Sequence, residues 1–248
     1  RRRKLHPVGR EAGIGGDGLK RKDRADVILG GRADQRRMDD HVAEAEEAQK
    51  GARPAGFRED EQMKDRKRAL AAIAGDIASC AECRRGKSGL PVPGEGNPHA
   101  RVMFVGMAPG REEAKSGRPF VGRSGRFLDR VLASIGISRS GIFITSPVKY
   151  FPGRKNPLKR DIEHGRLHLV EQLEVVSPRV VVLLGDVATK PLLPEEMISV
   201  SEAHGRVFEK AGRAYFVTFH PSAAMRFPGI RKLMEKDFRV LKALIRKV

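Results

Sequence analysis

Apolar residues are spread very unevenly along this chain. Residues 1–62 hold nine Leu, Ile, Val or Phe, too little apolar surface to offset the entropy of ordering the segment. A tail of mixed charge is expected there, with a short helix over Met38–Lys50. From Met63 the pattern changes, and 63–248 reads as one folded domain. Leu70, Ile73 and Ile77 recur at helical spacing and predict a helix over 64–82. Four runs of consecutive apolar, β-branched residues follow: Val102–Val105, Ile142–Thr145, Val180–Leu184 and Tyr215–Phe219. Helical stretches are expected between them at about 123–135, 159–176 and 186–193. A last amphipathic helix is expected over Ile230–Val248, with Met234, Phe238, Leu241 and Ile245 on its apolar side.

Strands that do not alternate are buried on both faces, and the intervening helices supply the cover. The predicted fold is therefore α/β, a three-layer αβα sandwich around a central four-stranded parallel sheet. Ligands of such sheets bind beyond the carboxyl ends of the strands. The segments that follow each run are the place to look for chemistry.

Charge narrows the partner. Lys and Arg number 49 against 31 Asp and Glu, a net +18. The tail is nearly balanced, with 15 basic residues against 13 acidic, so the excess belongs to 63–248, with 34 against 18. A basic domain suggests a binding face for a polyanion, but charge alone leaves DNA, RNA and an anionic membrane surface open. No apolar run approaches the roughly 18 residues that span a bilayer, and no signal core stands near the start. Cys80 and Cys83 are too few for a secreted disulfide framework. A soluble cytoplasmic protein, associated with the nucleoid if its partner is DNA, is the expectation.

Three strand ends carry unusual residues. The first run enters Gly106-Met107-Ala108-Pro109-Gly110, followed by Gly117-Arg118-Pro119-Phe120-Val121-Gly122. Glycines around a proline let backbone approach a ligand and leave amides free to donate. The second run ends in Thr145-Ser146-Pro147-Val148-Lys149-Tyr150, and the fourth in His220-Pro221-Ser222-Ala223-Ala224-Met225-Arg226. Taken singly, each has an ordinary reading as a βα turn or a satisfied structural histidine.

Together, and in this order, GMAPGREEAKSGRPFVGRSGRFLD, ITSPVKYFPGRKNP, VVVLLGDVA and HPSAAMR resemble family 4 uracil-DNA glycosylases, over roughly Ser79 to Val248. The resemblance implies an enzyme that flips a deaminated base out of DNA and hydrolyses its N-glycosidic bond. Phe120 then stacks on the base, and His220 donates to its carbonyl oxygen as charge builds on the leaving group. Gly106, Ala108, Pro109 and Gly110 border the base, with Ser146 where the family reads the base with asparagine. Ser124 and Gly125 offer helix-opening amides to a phosphate. Pro221, Ser222 and Arg226 belong to the loop that enters the minor groove.

The chain departs from the family in three places. Met107 stands where the family has an acid that helps position water; Glu112, Glu113 or a backbone-held water are the candidate substitutes. Ser146 supplies one hydroxyl in place of an amide, which points to broader specificity, toward hypoxanthine or xanthine. The family's four-iron cluster needs four cysteines; Cys80 and Cys83 match the first pair, but Tyr150 and Gly165 replace the second. His164 and His168 lie nearby, so a mixed two-cysteine, two-histidine metal site stands as an alternative to packing with no cofactor. The expected protein is a monomeric, monofunctional glycosylase acting on DNA that contains a deaminated base. A non-catalytic binder of lesions or abasic sites is the competing reading, and an RNA-binding module is suggested by charge alone.

Overall fold

The structure, a computed structural model, describes residues 55–153, 156–193 and 199–247; the helix read over Met38–Lys50 and most of the tail lie outside them. Helix α1 (Ala55–Ser79) runs into a single turn, α2 (Ala81–Arg84). The chain continues through β1 (Glu95–Gly96), β2 (Val102–Val105), α3 (Arg111–Ser116), α4 (Arg123–Ser134) and β3 (Phe143–Thr145). Next come α5 (Lys159–Val176), β4 (Val180–Leu184), α6 (Asp186–Thr189), α7 (Val200–Ala203) and β5 (Val207–Lys210). It closes with β6 (Arg213–Thr218), α8 (Pro221–Arg226) and α9 (Pro228–Lys247).

The strands form one sheet in the order β1-β3-β2-β4-β6-β5. Its four central strands are parallel, as the uninterrupted apolar runs require. Alternate side chains nevertheless face opposite layers. Phe104, Val182 and Phe216 pack with Leu128 of α4 and Phe238 of α9, while Met103, Val181 and Tyr215 pack with Leu169 and Leu173 of α5. Helices thus cover both faces of the sheet, and its four parallel strands lie almost wholly out of water.

Two antiparallel edge strands extend the expected four. β1 has two residues, and β5 leaves Val207 and Glu209 exposed, so neither carries the pattern of a buried strand. Ala211 and Gly212, with φ of 49° and 71°, make the primed two-residue turn that joins β5 to β6. The helix predicted over 186–193 ends at Thr189, because Pro191 has no amide hydrogen to continue its ladder. The helix predicted over 64–82 breaks at Cys80, whose backbone is extended and whose sulfur accepts the Cys83 amide at 3.4 Å to cap α2. No helix among the described residues is long and apolar enough to cross a membrane.

One cation lies inside the layer between β3 and α5. Lys149 Nζ is buried and donates to Thr145 Oγ1 (2.8 Å), Gln172 Oε1 (2.9 Å) and the Pro93 carbonyl (3.1 Å). Burial pushes its amine down from 10.5 to about 7. Between those values the unfolded chain holds the proton more firmly than the folded one, so stability rises with pH. The urea midpoint of unfolding is expected to climb from about pH 7 to about pH 9, and Lys149→Met to remove most of that slope. An equal slope in the variant would show that another group titrates.

Candidate active site

The loops beyond β2, β3 and β6 meet at one end of the sheet. Glu113, in the first turn of α3, ties two of the segments together. Its Oε2 accepts the Gly110 amide (3.1 Å), and its Oε1 accepts the amides of Val121 (2.9 Å) and Gly122 (2.7 Å). Glu112 is exposed and pairs with Lys115 at 3.2 Å. Glu113 also lines the cleft, and with two amides on Oε1 and one on Oε2 it keeps one acceptor position, on Oε2, that the backbone does not use.

Phe120 is held in a conformation that few side chains adopt. Its φ is 52°, in the left-handed region, a strain of order 1–3 kcal/mol that surrounding contacts must offset. Arg139 supplies those contacts: it donates to the carbonyls of Pro119 and Phe120 (3.1 Å to the latter) and pairs with Asp129 (3.0 Å) and Glu95 (3.2 Å). Arg118 holds the other side of Glu95 at 2.8 Å. Two glycines give the room. A Cβ on Gly106 would lie 2.6 Å from the Phe120 ring, and one on Gly125 would lie 1.8 Å from the Phe120 carbonyl oxygen.

His220 lies two residues past the end of β6 and caps α8. Its Nδ1 accepts the Ser222 amide at 3.1 Å and sits 2.7 Å from the Ser222 hydroxyl. An amide can only donate, so Nδ1 carries no proton and the neutral ring holds its hydrogen on Nε2. Burial pushes the imidazole down to about 4 against the opposing pull of the Glu113 charge. The Phe120 and His220 rings lie 5.9 Å apart, inclined at 34°.

A cleft of about 450 Å³ brings both rings together with Met107, Pro109, Ser124 and Ser222. Ala108 and Gly110 border it as well, whereas Gly106 is buried beneath the Phe120 ring. Gly125 is buried behind the Phe120 carbonyl, where it allows close packing. Pro221 is the buried first residue of α8, and Arg226 is exposed at its far end, its guanidinium 5.4 Å over the Phe227 ring. Ser146 stands apart: it is buried, its hydroxyl donates to the Val148 carbonyl at 2.8 Å, and it does not line the cleft. Phe151, Pro152 and Asn156 line it instead, with Arg111 and Arg123 exposed at the rim. The segment after β3 was readable as a loop of the site, but nothing in it marked which residues turn inward.

The residues do not fit the four-cysteine cluster that the resemblance implies. The Tyr150 hydroxyl donates to the Ala78 carbonyl at 3.2 Å, and its ring packs with Ile73, Ile77 and Cys83. A side chain at Gly165 would place its Cβ 1.8 Å from the Pro147 carbonyl oxygen, so that backbone leaves no room for a thiol. Cys80 and Cys83 instead converge with His164 and His168, all four donor atoms lying within 4.8 Å of one another. Burial and a hydrogen bond with Cys80 push the Cys83 thiol up to about 12.

The family model of the Uracil DNA glycosylase superfamily matches residues 93–242, and the chain belongs to that superfamily. The Type-4 uracil-DNA glycosylase of Archaeoglobus fulgidus is 38% identical over 176 residues, covering 67% of this chain and 88% of the relative. That of Sulfurisphaera tokodaii is 35% identical over 185 residues, 71% and 84% of the two chains. The Type-5 uracil-DNA glycosylase of Thermus thermophilus is 31% identical over 151 residues, 53% and 69%.

Proposed function

We propose that this chain is a monofunctional DNA glycosylase that excises uracil, or another deaminated base, as the first step of DNA repair. The observation that carries the reading is the shared cleft of Phe120 and His220, with the one hydrogen of the neutral imidazole assigned to Nε2 by the Ser222 amide. A flipped base stacks on Phe120 and accepts from Nε2 at a carbonyl oxygen. As the glycosidic bond lengthens, negative charge moves onto the base, and that hydrogen bond strengthens in the transition state more than in the ground state. The donor stays neutral at any pH well above about 4, so it polarises the leaving group without a proton transfer.

Water then attacks the anomeric carbon of an oxocarbenium-like sugar. Met107 cannot orient that water, so the task falls to the remaining acceptor position of Glu113 or to backbone groups of the cleft, while the donor to the leaving group lowers the barrier from the other side. Arg111 and Arg123 at the rim suit phosphates, as do the opening amides of α4 at Ser124. Pro221, Ser222 and Arg226 face the groove in this reading, with exposed Met225 and Phe227 as apolar wedges for the vacated space. Residues 63–248 form the catalytic unit and act as a monomer in the cytoplasm. With Ser146 turned to its own loop, the reading of the base edge falls to other groups of the cleft, and hypoxanthine and xanthine join uracil as candidate substrates.

Alkali cleavage of oligonucleotides that carry uracil, hypoxanthine or xanthine tests the reading. Uracil is expected to be released, and Phe120→Ala to lower kcat/KM by roughly 5- to 150-fold, the worth of one stacked base. Tight binding of uracil DNA with no product from any of the three bases would favour the lesion-binding reading, which Met107 and the inward-turned Ser146 motivate.

A further inference from the structure

We infer that Cys80, Cys83, His164 and His168 form a tetrahedral site for a single zinc ion, on the side of the domain where the resemblance implies a four-iron cluster. The spacing is C-x2-C with H-x3-H, the ligand pattern of two-cysteine, two-histidine structural zinc sites. Each half is shaped by its own element. Cys80 caps α2 with its sulfur and so brings both sulfurs to one end of that turn. His164 and His168 lie four apart on α5 and share a face, their rings 5.8 Å apart and nearly perpendicular.

Distances separate one ion from a cluster. Cys80 Sγ is 3.1 Å from His164 Nε2, and the four donors lie within 4.8 Å of one another. Bonds of about 2.0–2.3 Å to one tetrahedral ion set its donors about 3.3–3.8 Å apart, which small side-chain movements here satisfy. In a two-iron centre with mixed ligands, the cysteines and histidines bind different irons, so a cysteine sulfur and a histidine nitrogen cannot approach this closely.

The surroundings also fit. His168 Nδ1 lies 3.2 Å from Glu171 Oε2, which fixes one ring nitrogen and leaves the other for the metal. Two thiolates cancel the ion's double charge, so no net charge is placed beside the buried Ile73, Ile77 and Tyr150. Lys87 and Asp161, almost fully buried and 2.7 Å apart, already fasten the loop after α2 to α5. Tyr150 packs in the same cluster as Cys83, and the next residue, Phe151, lines the cleft. The ion therefore pins the α1–α2 layer to α5 beside the cleft, as a structural support with no part in bond cleavage.

The full chain, expressed with both iron and zinc in the medium, is purified and measured by elemental analysis and visible absorption. About one zinc per chain is expected, with iron at trace level and no iron–sulfur absorption. Cobalt(II) in its place is expected to give the visible bands of a tetrahedral thiolate site. His168→Ala is expected to lose the zinc, and His168→Cys, which restores a zinc donor, to retain it. Stoichiometric iron with visible absorption, the absence of any bound metal, or equal zinc in the two His168 variants would each overturn the assignment. None of these readouts depends on glycosylase activity.

Discussion

Replacing His220 with alanine is expected to slow uracil release by roughly 10²–10³-fold in single-turnover assays, the usual worth of one preorganised donor to a developing anion. Binding to uracil DNA should change little, because the bond to the base matures only as charge appears on it. The pH profile separates this role from a merely structural one. A free imidazole titrates near 6.5, whereas burial holds this ring at about 4 and the Ser222 amide keeps Nδ1 an acceptor. The His220-dependent rate should therefore be flat from about pH 5 to about pH 8. An inflection near 6.5 that vanishes in the variant would mean that a charged imidazolium takes part instead.

Gly125→Ala should be nearly as damaging, although residue 125 is buried and does not line the cleft. Its new methyl would sit 1.8 Å from the Phe120 carbonyl oxygen, against backbone that cannot rotate away. The helix start or the Phe120 loop must shift, at a cost of about 1–3 kcal/mol in stability. A displacement of about 1 Å in the stacking ring is enough to cost on the order of 10²-fold in kcat/KM. Melting temperature and kcat/KM are the paired measurements. Wild-type activity in the alanine variant would show that the loop position does not matter to excision.

The parts of the fold that were legible in the sequence are those whose signal is local. Val102–Val105 and Val180–Leu184 are strands within the positions read from their apolar runs, and α5 spans Lys159–Val176 as its periodicity suggested. Edge strands β1 and β5 were not legible, because pairing with a neighbour, and not their own side chains, makes them strands. At the site, order and spacing of motifs brought Phe120 and His220 to one cleft. What the sequence could not carry was direction. Ser146 sits in the right loop but bonds inward to Val148, and Glu113 lies in the right turn but serves three amides. Arg139 was invisible as a partner of Phe120 because 19 residues separate it from the carbonyl it holds. His164 and His168 were readable from the sequence as an alternative pair of donors beside Gly165, and the fold brings them to Cys80 and Cys83.

The Arg139 clamp bears on which lesions are removed first. With the Pro119 and Phe120 carbonyls gripped by Arg139, the backbone that carries the aromatic face is held by the protein's own contacts. The variable part of the barrier then lies in the duplex, in the effort of unstacking and unpairing one nucleotide. A uracil opposite guanine, poorly matched, leaves its helix more readily than one opposite adenine. In the proposed glycosylase, faster release of uracil from a pair with guanine than from a pair with adenine is the expected result.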